Sequence, residues 1–580
     1  MVNEPESRKT TSLSLRTALA GLVLLASALE GWYGQPELFG DDISYLDVVN
    51  MIRLGDWKTA LNPLWSIGYP LLLSVVRLVF PTDIAGEMRA VFCLNVSLSL
   101  ACYVAFLWFV REVIRFHRAP GDPTPAELSP LSFVAATFAY LTAAIGCAKV
   151  SSIGPDLLVA GLFFVASGLS LRLFKRPSAI TGVVLGVVLG LGYFAKAFFL
   201  PLAAIFLAIL LFTCIRERKF ASFAAAVVFW LVFVIPYASG LSWALGRHTL
   251  GESASLNYAF HVNGLPHWMG WQGGEPELGT PIHPVRLLNT DPPVFAFGEP
   301  FHVTYPPQYQ MPYWYEGYRH FTRLGNAVRA IATNLRYTAG AIAHNAGLVF
   351  AILLCMMIAI RGRLRGGPTR GTWVWRLFST WPWVLPPLLA ILLYQQVHVE
   401  PRYIAGFVAV LAMFPILAID PWLEVLRPRS VTLLLVLLAL GGTADLIVQL
   451  RRPLVLALHR APVQTEGQWR IAHFLTAAGV HPGDKVASVS DLNVFRCAWA
   501  YGARVRIVAA IGNDAYDGYP PDQLHDLHRF FDDAAVQAHV LELFRQQGAV
   551  AVVAQDLPFA TNDPGWQKVP GTNARVLLLK

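Results

Sequence analysis

The chain has 580 residues, 55% of them hydrophobic and only 14% charged, where soluble domains carry about 25% charged residues. Its apolar residues fall in blocks of roughly 20, the length that crosses a bilayer, which excludes a single soluble domain. The net charge of +8 does not point to nucleic acid, because the basic residues cluster in short segments between those blocks.

Taken in chain order, the apolar blocks predict about eleven membrane helices at approximately 13–33, 88–112, 130–148, 157–172, 179–195, 198–215, 220–240, 340–360, 378–397, 403–419 and 430–450. The basic clusters are Arg8, Lys9 and Arg16; Arg111, Arg115 and Arg118; Arg172, Lys175 and Arg176; Arg216, Arg218 and Lys219; Arg361, Arg363, Arg365 and Arg370; and Arg427 and Arg429. Alternating crossings from a cytoplasmic N-terminus put every cluster inside, as the positive-inside rule requires. The first apolar run ends near Ala26-Ser27-Ala28, which has the look of a cleavage site. A retained first helix is the reading adopted, and either way residue 35 onward lies outside the cytoplasm.

Three segments are then expected outside. The first, about 34–87, contains an apolar and aromatic stretch, Leu64–Phe80, that reads as an interfacial or re-entrant helix. The second, about 241–339, is rich in Trp, Tyr, His and Pro, including Trp268, Trp271, Tyr305, Tyr309, Tyr313 and Trp314. The third, 451–580, reads as a small extracytoplasmic α/β domain following a membrane domain of residues 1–450. In it, apolar runs at Val486–Val489, Val505–Ile511 and Val550–Val553 alternate with helical stretches at Gln468–Ala478 and Gln523–Arg545, which argues for a short, largely parallel sheet. The tail has no Gly-rich phosphate loop. Five of the six cysteines, Cys93, Cys102, Cys147, Cys214 and Cys355, lie in apolar blocks, and Cys497 stands alone in the tail, so no disulfide framework is available.

An ionisable residue at the end of a membrane span is costly enough to be informative. Five clusters of this kind all fall on the predicted extracytoplasmic side. In Gly40-Asp41-Asp42-Ile43-Ser44-Tyr45, two acids open a helical stretch. Helix capping accounts for one acid, and the other is then free to face a cavity as a general base. Asp156 follows Pro155 at the start of the fourth span, where capping again is the plain reading. Lys196 lies between two hydrophobic helices, where it either snorkels or binds an anion. His398-Val399-Glu400-Pro401-Arg402-Tyr403 forms a turn whose Arg402 suits a phosphate. Trp65 and Tyr69, in Trp65-Ser66-Ile67-Gly68-Tyr69-Pro70, are either belt aromatics or a sugar platform. His248, His261, His267, His283, His302 and His320 of the large loop show no metal-ligand spacing.

These clusters, in this order, resemble the GT-C glycosyltransferase superfamily, and most of all the protein O-mannosyltransferases and lipid A aminoarabinose transferases. An acidic pair followed by an aromatic opens the first outer loop in that family. Here it is Asp41-Asp42-Ile43-Ser44-Tyr45, with Asp42 where Glu is usual. A second acid resembles Asp156. A glycine-led motif ending in Thr-Lys is similar to Gly192-Tyr193-Phe194-Ala195-Lys196, with Ala195 in place of Thr. The Glu-x-Arg-Tyr turn is similar to Glu400-Pro401-Arg402-Tyr403. The resemblance spans about residues 13–450.

It implies an inverting transferase of the bacterial inner membrane that moves a sugar from a polyprenyl-phosphate donor to an extracytoplasmic acceptor. Asp41, with Asp42 or Asp156, would take the acceptor's proton. Lys196, Arg402 and Tyr403 would hold the donor phosphate, and Tyr45, Trp65, Tyr69, His398 and Glu400 would contact substrate. Some members use a divalent metal, and the residues alone leave that open. Two other readings remain: a lipid or glycan transporter or flippase, which predicts charges near the bilayer midplane, and a non-catalytic glycan-binding subunit of the envelope.

Overall fold

The computed structural model describes residues 6–34, 38–118, 127–266, 271–298, 302–343, 345–364, 379–419, 428–459, 466–490, 497–511, 522–555 and 565–579. Arg365, Arg370 and Arg427 of the basic clusters, and His267 and Trp268 of the large loop, lie outside the described residues.

Seven helices among them are long and apolar enough to cross a membrane: Leu13–Tyr33, Ile84–His117, Pro130–Ala148, Asp156–Lys175, Phe199–Glu217, Ala221–Leu245 and Arg429–Leu458. This is a multi-pass membrane protein. Three more expected spans are helical but shorter, at Ala179–Ala195, Trp381–Gln395 and Pro401–Leu417. The remaining one, expected at 340–360, is bent by 78° between Leu324–Ala343 and Ala346–Met357. Asp445, on the helix Pro428–Leu458, explains why the second half starts where it does. Its two carboxylate oxygens accept from the backbone N–H groups of Gly347 (2.9 Å) and Leu348 (2.7 Å), which a helix start leaves unpaired. The segment Leu64–Phe80 forms a short apolar helix, Gly68–Val79.

The helices pack closely where small residues allow it. Gly182 and Gly186, four apart on Ala179–Ala195, face the carbonyl oxygens of Ser222 and Ala226 on Ala221–Leu245, and a Cβ at either would collide with them. Backbone-to-backbone approach of this kind is how helices associate where apolar burial gives no driving force.

The sheet differs from expectation. It has seven strands, β1 (Arg286–Thr290), β2 (Pro293–Ala296), β3 (Lys485–Ser490), β4 (Arg506–Ile511), β5 (Ala551–Gln555), β6 (Gln567–Lys568) and β7 (Arg575–Leu578), in the order β1-β2-β4-β3-β5-β7-β6. The three expected strands are its centre, and β3 is parallel to both β4 and β5. They read as mainly apolar runs because β4 and β5 are buried nearly end to end. The other pairings are antiparallel, so the sheet is mixed. Two of its strands, β1 and β2, come from the large loop rather than the tail.

One apolar core joins the segments 34–87 and 241–339 to the tail, with Leu46, Val49, Tyr309, Trp314, Trp499 and Tyr501 among its members. A buried polar chain runs through it. Arg77 and Glu87 form an ion pair, both 2% exposed. The Tyr501 hydroxyl donates to Glu87 (2.8 Å), and Asn50 donates to the Tyr501 oxygen (3.1 Å). Nearby, Asp47 accepts from the backbone N–H (3.0 Å) and hydroxyl (2.9 Å) of Thr304.

Burial pushes the Asp47 carboxyl up to about 7, against the pull of its two Thr304 hydrogen bonds. The unfolded chain releases this proton near pH 4, and the folded chain keeps it until about pH 7. Between those limits the folded state binds more protons, so stability falls as pH rises, by at most about 1.4 kcal/mol per pH unit. Asp47→Asn is expected to remove that slope and to melt above the parent at pH 8. Parallel melting profiles from pH 4 to 8 would show that Asp47 does not set the dependence.

Candidate active site

The helix Gly40–Leu54, which follows the first membrane span, opens after Phe39, whose backbone is extended. Its two acids part at once. Asp42 is 3% exposed. One of its oxygens accepts from the Phe39 N–H (2.9 Å) and the other from the Ile153 N–H (2.9 Å). It therefore caps the helix and ties it to the turn before Asp156–Lys175. Both of its carboxylate oxygens accept from backbone, and it is not among the residues that line the cavity described below. Asp41, one residue earlier on the helix, points to the other side and lines a cavity of about 410 Å³.

That cavity gathers residues that are far apart in sequence. Asp41 and Tyr45 come from the helix Gly40–Leu54, Trp65 from the turn before Gly68–Val76, and Asp156 from the start of its helix. Lys196 ends Ala179–Ala195, and His398, Arg402 and Tyr403 lie at the start of Pro401–Ile419. The lining also includes the apolar residues Phe198, Leu200, Pro201, Leu393 and Val397.

Arg402 is the hub. Its Nη2 donates to Asp41 Oδ2 (2.7 Å) and its Nε to Glu400 Oε2 (2.6 Å), and Nε is 3.9 Å from Asp156 Oδ2. Lys196 Nζ donates to Asp156 Oδ1 (2.8 Å) and sits 3.7 Å from the centre of the Tyr403 ring. The Tyr403 hydroxyl donates to Glu400 Oε1 (3.1 Å). Burial raises the Glu400 carboxyl, but Arg402 and His398 outweigh it and hold the group well below the usual carboxylate range. Glu400 thus stays ionised and anchors Arg402. It reaches the cavity through Arg402 and Tyr403 rather than forming its wall. His398 lies 3.5 Å from Glu400 and stacks on His261 at 3.8 Å.

The aromatic pair expected as a sugar platform separates in the same way. Trp65 lines the cavity and packs edge-on against Tyr45, 5.3 Å between centres. Tyr69 is fully buried behind them, its hydroxyl donating to Asn95 (2.9 Å). It belongs to the apolar core. Burial pushes the Tyr45 hydroxyl well above its ordinary value, with the Asp156 and Asp41 charges acting in the same direction. Tyr45 therefore remains a neutral donor at any working pH.

Sequence reasoning missed Gln308, on the short helix Pro306–Tyr309 of the large loop. Its Nε2 donates to Asp41 Oδ1 (3.1 Å). Pro306-Pro307-Gln308-Tyr309 carries no signal that marks such a role.

Among the described residues no three His, Cys, Asp or Glu side chains are grouped to hold a metal ion. Asp41 and Asp156 each already face a cation. This donor set does not fit a divalent ion.

Two crystal structures of ArnT from Cupriavidus metallidurans are similar to this chain. The apo form aligns with a TM-score of 0.52 and 13% identity, and the form bound to undecaprenyl phosphate with 0.53 and 11%; each alignment covers 98% of both chains. ArnT has the GT-C fold, and the resemblance read from the motifs is borne out at the level of fold. No protein-family model and no curated protein sequence matches the chain.

Proposed function

We propose that this chain, which has the GT-C fold, is a glycosyltransferase that moves a sugar from a polyprenyl-phosphate donor to an acceptor outside the cytoplasm, inverting the anomeric centre. The observation that carries the reading is the cavity. Two acids and two cations from distant segments are brought together in its lining, which also includes apolar residues. That pairing of chemistries suits a phosphate with a lipid chain attached. The ArnT structure holding undecaprenyl phosphate supports the same donor class by fold.

The steps follow from the residues. Asp41 takes the proton from the acceptor's hydroxyl or amine as that atom bonds the anomeric carbon. The bond from that carbon to the donor phosphate oxygen breaks, and the phosphate leaves with the electron pair. Arg402 and Lys196 meet the charge that develops on it. Both cations are held by carboxylates in the structure, so an arriving phosphate shares them with Asp41 and Asp156. Arg402 has five N–H donors, and its bonds to Asp41 and Glu400 use only part of the fork.

In this reading residues 1–450 form the transferase, residues 451–580 an outer domain, and the cavity opens away from the cytoplasm of a bacterial inner membrane. Cysteines placed in the tail are expected to react with a membrane-impermeant reagent in intact cells. Protection there, with labelling only after permeabilisation, would put the cavity on the wrong side for this chemistry.

The deciding assay incubates purified chain with a panel of undecaprenyl-phosphate pentoses and hexoses and measures undecaprenyl phosphate released in the presence of envelope extract. Release that depends on one donor is expected. Binding of the lipids with no release across the panel would favour a non-catalytic lipid-binding subunit.

A further inference from the structure

We infer that Gln308 is a positioning residue for the base, fixing the rotation of the Asp41 carboxylate. The inference rests on the reading of Asp41 given above.

Gln308 is 3% exposed. Its Nε2 donates to Asp41 Oδ1 while Arg402 donates to Oδ2. The two donors hold both carboxylate oxygens at once, which fixes the plane of the group. Each oxygen keeps a further lone-pair direction for an incoming proton. The charge on Asp41 also decides which way the amide points, since a reversed amide would set its oxygen against a carboxylate oxygen.

The orientation has a cost. Gln308 Oε1 is buried without a hydrogen-bond partner. A buried acceptor left unpaired is rare and destabilising. An apolar side chain of similar length would avoid that cost, and the chain has an amide there instead. Rules of local satisfaction are broken most often where function requires it.

The backbone around Gln308 is held from three directions. Its own carbonyl accepts from Trp65 Nε1 (3.3 Å), and the next carbonyl, of Tyr309, accepts from Asn62 Nδ2 (2.8 Å). The Tyr309 hydroxyl donates to the Thr59 carbonyl (2.7 Å). Four residues before Gln308, Thr304 is bonded by Asp47 on the helix Gly40–Leu54 and by the Ile507 N–H of β4. The tail sheet thus helps to hold the segment that presents Gln308 to Asp41.

The test is Gln308→Met, which keeps the length and removes both the donor and the unpaired oxygen. Its melting temperature is expected to equal or exceed the parent's. Its kcat is expected to fall about tenfold with the donor KM unchanged, as a misplaced reacting group predicts. In an Asp41→Asn background the same change should cost less than twofold, because the group it positions is gone. A lowered melting temperature with parental kcat would make Gln308 structural and overturn the inference. So would an equal tenfold loss in both backgrounds. Parental turnover in Asp41→Asn alone is a different result: it removes the base itself, and the inference with it.

Discussion

Asp41→Asn is expected to lose turnover by about a hundredfold or more while folding and binding the lipid donor like the parent. The side chain nearly keeps its shape, and its oxygen can still accept from Arg402 or Gln308. It can no longer take a proton. The neighbouring acid supplies the control. Asp42 holds the Phe39 and Ile153 backbone N–H groups, one on each oxygen. Asn keeps only one oxygen, so Asp42→Asn leaves one buried N–H unpaired, which should lower the melting temperature through a loss of about 1–3 kcal/mol of stability and leave the folded enzyme's kcat within a few fold. Release of undecaprenyl phosphate, measured against melting temperature for each variant, separates the two. Lost kcat in Asp42→Asn with parental kcat in Asp41→Asn would move the base one residue. Parental kcat in both would leave the first-loop acids with no part in proton transfer.

Arg402→Ala is expected to cost on the order of a hundredfold to a thousandfold in kcat/KM, the scale of a lost charge-stabilising donor. Arg402→Lys should fall between. A lysine keeps the charge but cannot bridge Glu400 and Asp41 with a planar fork. The alanine variant also leaves Asp41 and Glu400 without their shared cation, so it should melt below the parent. Arg402→Ala/Glu400→Gln keeps the two effects apart: removing the stranded Glu400 charge should recover much of the stability and none of the activity. If recovered stability brings recovered turnover, Arg402 serves the fold rather than the donor phosphate.

The sequence by itself determined that the chain is a multi-pass membrane protein, and it marked several of the residues that line the cavity. A bilayer demands long apolar runs with internally paired backbone, and that demand is local enough to read residue by residue. It also makes an ionisable group at a span end costly, which is why Asp41, Asp156, Lys196 and Arg402 stood out before any geometry was known. The apolar runs of β3, β4 and β5 were legible for a related reason, because a strand covered on both faces has no polar positions to interrupt it.

Only the tertiary structure decided how these parts meet. Asp41 and Asp42 are adjacent acids with the same composition-level signal, and what separates them is which one lies beside the Ile153 N–H. Trp65 and Tyr69 look alike as aromatics four residues apart, yet one lines the cavity and the other fills the core. The Asp41–Arg402 bond joins residues 361 positions apart, and no periodicity or spacing reports a contact of that range. The same holds for Gln308, a neutral residue in a proline-rich loop, and for β1 and β2, which complete a sheet begun nearly two hundred residues later. Their places are set by long-range packing of the segments 34–87 and 241–339 against the tail, where a single shared core, rather than any local preference, determines which side chain faces the cavity.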